Sequence, residues 1–409
     1  MIHPAPTPRV GLWIIGVRGG VSVATLAGLS AKRAGLTDDV GLVSQLPQFA
    51  RLPLPQWGEF VVGGHDIRTA SLVDELERLH RDSRVIAAEV VAACREDLQQ
   101  IEPRIKPGVL WRVGERIELL ADSAEAKSAA ANDRTARAAI DRVQADLQGF
   151  RQSQRLDEVV VINLASTEPP VEAAAKKSWP ERWQQFAPLL ESAECPLPAS
   201  SLYAIAALEL GMSYVNFTPS LGATLPAIDD LARDRGACHA GRDAKTGETL
   251  LKSVLAPMFA ARNLHVMSWV GHNIFGNLDG KVLDDPRNKA AKLQSKDRAV
   301  IDVLGYAPQT LISIEHVESL GDWKTAWDHI HFRGFLGTPM TLQFTWQGCD
   351  SLLAAPLALD LARFVVAAKR RGEAGPLAFL ASFFKSPIGA APAAFADQFR
   401  MLEAWAASV

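Results

Sequence analysis

The chain of 409 residues has little of what marks several common protein classes. Its four cysteines, Cys94, Cys195, Cys238 and Cys349, lie far apart and form no C-x-x-C pair. That argues against a zinc ribbon or a disulfide scaffold and fits a reducing cytoplasm. Neither charge sign dominates. The formal net charge is -3, so there is no global basic footprint and nucleic acid is not the expected partner. No uninterrupted apolar run reaches the roughly 18 residues of a membrane span. The opening segment is broken by Arg18, and LLAAPLALDLARFVVAAK carries Asp360 and Arg363. The first residues, MIHPAPTPR, lack the apolar core of a signal peptide. Internal repeats and low-complexity tracts are missing, and no metal-ligand cluster stands out. The expectation is a soluble, cytoplasmic protein with no membrane partner and no metal.

What is present is a large apolar fraction, 48%, in a chain long enough for two lobes. Strand-like runs alternate with helical stretches. VGLWIIG precedes a helix through Ala34, and EFVVGG precedes a helical stretch from Ser71 to about Glu102. EVVVINLAS follows a charged helical run from Ala124 to Gln154, and MSYVNFTPS and ACHAGRD each follow a helix. Short continuous apolar strands are expected where both sheet faces are covered. The alternation predicts an α/β fold with a doubly wound sheet. After about Leu250 the pattern changes. HVMSWVGHNIFG, TLISIEHVE and MTLQFTWQG alternate more strongly with polar residues. They predict a second, open sheet packed on helices or on another subunit. DSLLAAPLALDLARFVVAAKR then returns to a buried helix.

The first candidate site is the turn GVRGGVS. Nucleotide binding needs close backbone approach to a diphosphate and helix N–H groups aimed at it. Gly16, Gly19 and Gly20 permit the approach, Ser22 carries a hydroxyl, and a helix starts near Val21. The spacing is not G-x-G-x-x-G, since Arg18 stands where the second glycine belongs, so a plain buried strand and turn is an equal reading. In GGHDIR, Asp66 falls where a carboxylate could accept ribose hydroxyls, or could simply cap a turn. LASTEPP puts Ser166 and Thr167 at the carboxyl end of a strand, where ligands sit in open α/β sheets.

The second half is rich in lysine-bearing motifs. AGRDAKTGETLLKS places Asp243 and Lys245 after a strand. Lys292 and Lys296 are four apart and share a helix face, which Lys289 extends. LGDWK brings Asp322 and Lys324, and FFKSP sets Lys385 among aromatics. Each lysine alone reads as a solvated surface charge, as Lys289 does. Several in one cleft could instead hold a phosphate and stabilise an oxyanion or enolate.

Taken in order, GVRGGVS, GGHDIR, VVVINLASTEP, AGRDAKTGETLLKSVL, FGNLDG, KLQSKDRAVIDV, GDWK, CDSLLAAPLALDL and FFKSP resemble the myo-inositol-1-phosphate synthase (inositol-3-phosphate synthase) family over nearly the whole chain. The resemblance implies NAD as cofactor, a sugar phosphate as partner and a homotetramer. It implies an NAD-binding Rossmann-like domain over 1–248 and an α+β catalytic and oligomerisation domain with an open sheet over 249–351. C-terminal helices over 352–409 would return to the first domain. Lys292, Lys296, Lys324 and Lys385 match the family's four active-site lysines, with Asp243 and Asp350 orienting them. Gly16, Arg18, Gly19, Gly20, Val21, Ser22, Asp66, Ser166, Thr167, Asp243 and Asp322 fall in cofactor-binding segments. Asn277, Leu278 and Asp279, with Lys296 and Lys324, fall in substrate-binding segments. The glycine turn then reads as a variant of the family's GxGGNNG loop.

The sequence also departs from the family. Arg18, Gly20 and Val21 replace a glycine and two asparagines, Leu278 an asparagine, Ile274 a histidine, and Arg242 and Ala244 an aspartate and a phenylalanine. The implied activity is conversion of glucose 6-phosphate to an inositol monophosphate without net redox change. Its steps are internal oxidation at carbon 5, enolisation at carbon 6, aldol closure onto carbon 1 and re-reduction. Lys292 and Lys385 would face the reacting oxygens, Lys292 also serving proton transfer at carbon 5, and Lys296 and Lys324 would hold phosphate or carbonyl. The substrate phosphate itself could take the carbon 6 proton. The other readings are a cyclase for another sugar phosphate, a simple NAD(P)-dependent dehydrogenase of homoserine-dehydrogenase-like architecture, and a non-catalytic NAD-binding protein.

Overall fold

The computed structural model describes residues 8–171, 179–277, 280, 301 and 303–408. The strands in chain order are β1 (Val10–Ile15), β2 (Phe60–Asp66), β3 (Ile105–Pro107), β4 (Glu158–Asn163), β5 (Ser213–Asn216) and β6 (Cys238–Gly241). They continue with β7 (His265–Phe275), β8 (Gln309–His316), β9 (Trp323–Arg333), β10 (Pro339–Cys349) and β11 (Gly375–Pro376). The principal helices are α1 (Gly20–Arg33), α2 (Leu72–Ser83), α3 (Ala88–Ile101), α4 (Ala136–Gln154) and α5 (Ala199–Glu209). After them come α6 (Pro226–Asp234), α7 (Gly247–Ala261), α8 (Asp350–Arg370) and α9 (Phe395–Ala407).

One sheet is parallel throughout, in the order β11-β6-β5-β4-β1-β2-β3. Strand alternation divides its side chains between two cores. Leu12 and Ile14 face α1, α2, α3 and α8, whereas Trp13 and Ile15 face α4, α5 and α6. Every residue of β1 is buried, as a strand covered on both faces must be. The direction of winding reverses between β1 and β4. The segments that leave their carboxyl ends therefore diverge and open a crevice.

The second sheet has the order β10-β9-β7-β8; β7 and β8 are parallel and the other pairs antiparallel. Its inner face packs on α7 through Ala256, Phe259, Val266, Trp269, Ile330 and Phe332. Sequence reading found β7, β8 and β10 but not β9. That strand carries Asp328, which is fully buried. Lys252 Nζ lies 3.4 Å from it, and Trp269 Nε1 donates to Oδ1 at 2.7 Å. A charge compensated in this way is indistinguishable from a surface residue in a sequence.

Two expected helical stretches are each divided. Arg84, at a left-handed φ of 55°, ends α2 before α3 begins. The run from Ala124 breaks before Thr135, whose Oγ1 accepts from Ala138 N at 3.1 Å and starts α4.

Helix α8 is apolar and long enough to cross a membrane by length and composition. In the structure it is a core helix lying against α1. Its two interior charges, which the sequence shows as interruptions, clamp the loop before β2. Asp360 accepts from Val43 N at 2.7 Å and Ser44 N at 3.0 Å. Arg363 donates to Pro55 O at 3.0 Å and Ser44 Oγ at 2.6 Å, and its guanidinium lies 4.3 Å from the Trp57 ring centre. Removing the carboxylate leaves the buried Val43 and Ser44 amides without their acceptor. Asp360→Ala is therefore expected to cost about 1 to 3 kcal/mol of stability, measured as a lower urea midpoint at unchanged slope; a loss within about 0.5 kcal/mol would contradict this clamp.

Candidate active site

The crevice holds a cavity of about 680 Å³ between the two sheets. Its floor is the turn after β1. Gly16 has a φ of +76°, and a Cβ there would lie 2.8 Å from Ala165 Cα. A Cβ on Gly20 would lie 2.8 Å from Ser351 Oγ, so only glycine lets the turn meet the start of α8. No side chain caps α1, which leaves its first amides and positive dipole end to an anion.

Gly16, Gly19, Gly20, Val21 and Asp66 all line the cavity. Both Asp66 oxygens are oriented by backbone, Oδ2 by Arg18 N at 2.7 Å and Oδ1 by Arg68 N at 2.9 Å. Burial raises the Asp66 pKa, against the neighbouring Arg68 and these hydrogen bonds.

Two residues assigned to the cofactor from sequence are not among those lining the cavity. The Arg18 guanidinium is engaged with Glu102 (2.7 and 3.1 Å) and with Ala70 O. The Ser22 hydroxyl is spent on Gly16 O at 2.7 Å. Both shape the turn from behind. Arg18 thus stands at a glycine's place without filling the cavity, because its side chain leaves in the opposite direction.

Ser166 and Thr167 line the wall beyond β4. Beside them is Glu168, which sequence reading passed over. Its carboxylate accepts from Ser200 N at 2.8 Å and from Ser200 Oγ, and its own N donates to Ser220 Oγ at 3.0 Å. Glu168 therefore ties the strand end to the first turn of α5. Burial raises its pKa to about 7. The only signal for it in the sequence is its place in LASTEPP, one residue past the pair singled out.

The far wall gathers the charged groups. Lys385 Nζ donates to Asp243 Oδ1 at 2.8 Å. Lys324 Nζ lies 3.6 Å from Asp350 Oδ1 and 5.2 Å from the Phe275 ring centre. Lys324, Lys385, Asp243, Asp350, Asp322 and Asn277 all line the cavity, although they come from five separate stretches of chain. Thr246 lines it too. It stands just before α7, a helix that no side chain caps. Leu278, Asp279, Lys292 and Lys296 lie outside the described residues.

Asp322 joins these walls. Its Oδ1 accepts from Ser351 Oγ at 2.8 Å and Asn277 Nδ2 at 3.3 Å. Its Oδ2 accepts from Ser351 N and Cys349 Sγ, each at 2.8 Å. Burial raises its pKa, opposed by these hydrogen bonds.

A parallel α/β sheet with an uncapped helix behind a glycine turn, with one lysine–aspartate pair beyond its own strands and another where the open sheet meets α8, defines a dinucleotide-dependent enzyme of polar, anionic substrates. Residues 10–406 match the NAD-binding family of myo-inositol-1-phosphate synthase, and the chain belongs to that family. It is 30% identical to inositol-3-phosphate synthase 1 of Bacteroides thetaiotaomicron, over 95% of this chain and 91% of that protein. It is 26% identical to inositol-3-phosphate synthase of Dictyostelium discoideum, over 87% and 73% of the two chains. Its fold is that of the inositol-3-phosphate synthase of Caenorhabditis elegans. The TM-score is 0.85 at 22% identity, covering 98% of this chain and 85% of that one. A myo-inositol-1-phosphate synthase-related protein from Thermotoga maritima gives a TM-score of 0.77 at 24% identity over 98% of both chains.

NAD is thus the cofactor, and the glycine cradle, the uncapped α1 and the oriented Asp66 carboxylate fit it. Glu168 offers a check on the wall by pH. Its folded pKa of about 7 lies above the unfolded value of about 4.3. The stability this carboxyl contributes is therefore present at low pH and is lost as pH rises from about 4.3 to 7. Glu168→Gln should remove that slope, so that wild type loses ground to the variant between pH 5 and 8 in thermal unfolding. Parallel curves for the two proteins would contradict the assignment.

Proposed function

We propose that the chain catalyses the NAD-dependent cyclisation of glucose 6-phosphate to myo-inositol 1(3)-phosphate. The observation that carries this reading is the convergence of Lys324 and Lys385 with Asp243, Asp350 and Asn277 on the cavity that the glycine turn floors. A dehydrogenase needs one donor at one carbonyl. A cyclase must steady negative charge on successive oxygens while also holding a phosphate dianion, and that calls for several cations.

Bound in the crevice, NAD supplies hydride acceptance at carbon 5 and its return after ring closure. The chain's own groups manage charge and protons. Lys385, fixed by Asp243, donates to the oxygen that becomes anionic. Such a preorganised donor is worth about 3 kcal/mol, roughly a hundredfold in rate. Lys324, held by Asp350, neutralises phosphate or carbonyl. Thr246 and the start of α7, which no side chain caps, offer a second anion-binding end beside the one at α1. Lys292 and Lys296 complete the set in this reading, Lys292 moving the proton at carbon 5. Asn277 binds sugar hydroxyls, with Leu278 and Asp279 beside it. Enclosure of both ends of the open-chain sugar contributes several kcal/mol more.

The division into 1–248, 249–351 and 352–409 accompanies this reading. The second sheet provides one wall of the site with its inner face. Its outer face exposes Trp327 and Leu311 and is read as the surface on which a second copy docks, giving a homotetramer. The four cysteines are free and buried, which suits a reducing cytoplasm.

Purified protein given NAD and glucose 6-phosphate is expected to form a phosphorylated cyclitol without accumulating NADH. Accumulating NADH points to a dehydrogenase, and neither product sinks the cyclase. Lys385→Ala and Lys292→Ala should each lower turnover about a hundredfold or more while NAD still binds; near-normal rates would remove that lysine from the mechanism. In light scattering the protein is expected at four times the 44.2 kDa chain mass, with Trp327→Glu shifting it to smaller species.

A further inference from the structure

A cluster of charged groups between α7 and the second sheet has no part in the account above. Glu248 and Lys252 lie one turn apart on α7, and Asp328 lies on β9. Their exposures are 3%, 1% and 0%. Lys252 Nζ lies 2.5 Å from Glu248 Oε1, 3.4 Å from Asp328 Oδ1 and 5.8 Å from the Trp269 ring centre. Trp269 Nε1 donates to the same Asp328 oxygen at 2.7 Å. The three charged atoms meet over Gly271 of β7. A Cβ there would lie 3.0 Å from Lys252 Nζ, 3.1 Å from Glu248 Oε1 and 3.2 Å from Asp328 Oδ1. The strand leaves out a side chain where the helix puts in its charges.

Both sides of this cluster lead to the cavity. Thr246, two residues before Glu248, lines it, and so does Lys324, four residues before Asp328. Lys324 and Asp328 share one face of β9, since side chains alternate along a strand. The start of α7 lies close against the sheet, where a Cβ on Gly247 would come within 3.0 Å of Trp346 Nε1.

Adhesion between helix and sheet comes from elsewhere. Ala256 and Phe259, further along α7, pack with Val266, Trp269, Ile330 and Phe332. Apolar contact is non-directional. It keeps the helix on the sheet without fixing how far the helix slides along it. An ammonium between a carboxylate of its own helix and one of the facing strand does fix that position. Three desolvated charges are also a poor source of adhesion, because well-packed apolar side chains of similar volume often stabilise as much or more. What the cluster adds is the placement of one helix end.

We propose that Lys252 is a positioning residue: with Glu248 and Asp328 it sets the start of α7 in register with β9, so that Thr246 and the helix end meet the substrate phosphate together with Lys324. The inference rests on the reading that Lys324 and the start of α7 hold that phosphate. It gives a role in substrate binding to a lysine that does not line the cavity.

The test compares wild type, Asp328→Asn and a neutral triple variant, Glu248→Gln with Lys252→Met and Asp328→Asn. The triple variant strands no charge and keeps an acceptor for Trp269. Two measurements are made on each protein: the dissociation constant of inorganic phosphate at saturating NAD, by calorimetry, and kcat and KM for cyclitol phosphate formation from glucose 6-phosphate. In the triple variant phosphate affinity should fall about tenfold and KM should rise by a similar factor, as a residue without ligand contact can achieve. Two carboxylates and one ammonium make the cluster net negative, so neutralising it would by charge alone favour an anion. A loss of phosphate affinity therefore reports lost position. The change in kcat should be smaller than that in KM, and NAD affinity should stay within about twofold. Asp328→Asn keeps the pair on α7 and loosens only its tie to β9, so it should move phosphate affinity and KM the same way by less. Phosphate affinity and KM within about twofold of wild type in the triple variant overturn the proposal. So does an equal loss of NAD and phosphate affinity, which a general loosening of the fold would give. Phosphate that binds none of the proteins overturns it as well. If the triple variant does not fold, unmoved phosphate affinity in Asp328→Asn overturns it equally. Wild-type protein that forms no cyclitol, yet binds phosphate more tightly than the variants, overturns the cyclase reading alone.

Discussion

The buried carboxylate of Asp322 is the constraint on which the site's assembly depends. Four donors from three places converge on it: Ser351 through backbone and hydroxyl, Cys349 through its thiol, and Asn277 through its amide. Without these partners, a carboxylate at this depth would carry a large desolvation penalty. With them, it fastens the end of β7 and the first turn of α8 to the loop before β9. The glycine turn then fits beneath, because Gly20 has no side chain to collide with Ser351. The cofactor cradle belongs to the parallel sheet and the Asn277–Lys324 side of the substrate wall to the open one, and this one group holds them in register.

The lysine–aspartate pairs follow a similar logic. Lys385 and Lys324 each have a carboxylate partner, which fixes the ammonium without consuming all three of its protons. A cavity lined by cations alone would repel itself open when empty. Pairing lets the walls stay together before an anion arrives, and each ammonium retains donors for it. Asp350 begins α8, so its charge also lies favourably against that helix's positive end.

Much of this was legible in the sequence where one residue type has one use. The strand–turn–helix beginning at Val10, the alternation of elements and the buried α8 follow from apolar periodicity and glycine placement. Side-chain direction was not legible. Arg18 and Ser22 sit inside a cofactor motif yet turn back to Glu102 and Gly16, and no spacing rule distinguishes a donor aimed at a ligand from one aimed at its own backbone. Glu168 was missed because its partner, Ser200, is remote in sequence. Strand β9 was missed because Asp328 lies inside it, neutralised by a lysine from another element. Each miss involves polar groups whose meaning depends on a distant partner, whereas apolar patterning is local. The lysines joined by the family resemblance divide in the same way: Lys324 and Lys385 meet at the cavity through tertiary folding alone.

The parallel sheet is completed from the far end of the chain. Strand β11 pairs with β6, and α8 packs against α1, so residues beyond 350 finish a layer begun at residue 10. During synthesis the first strands and helices leave the ribosome with an open edge and a bare apolar flank. The edge of β1 is covered once β4 pairs with it, whereas the flank of α1 stays bare until α8 arrives. An exposed edge of that kind invites wrong pairings, and long sequence separation slows the right one. A nascent chain of this design has a lasting need of chaperone protection, and interrupting translation anywhere before α8 would release an aggregation-prone fragment in place of a working half-enzyme.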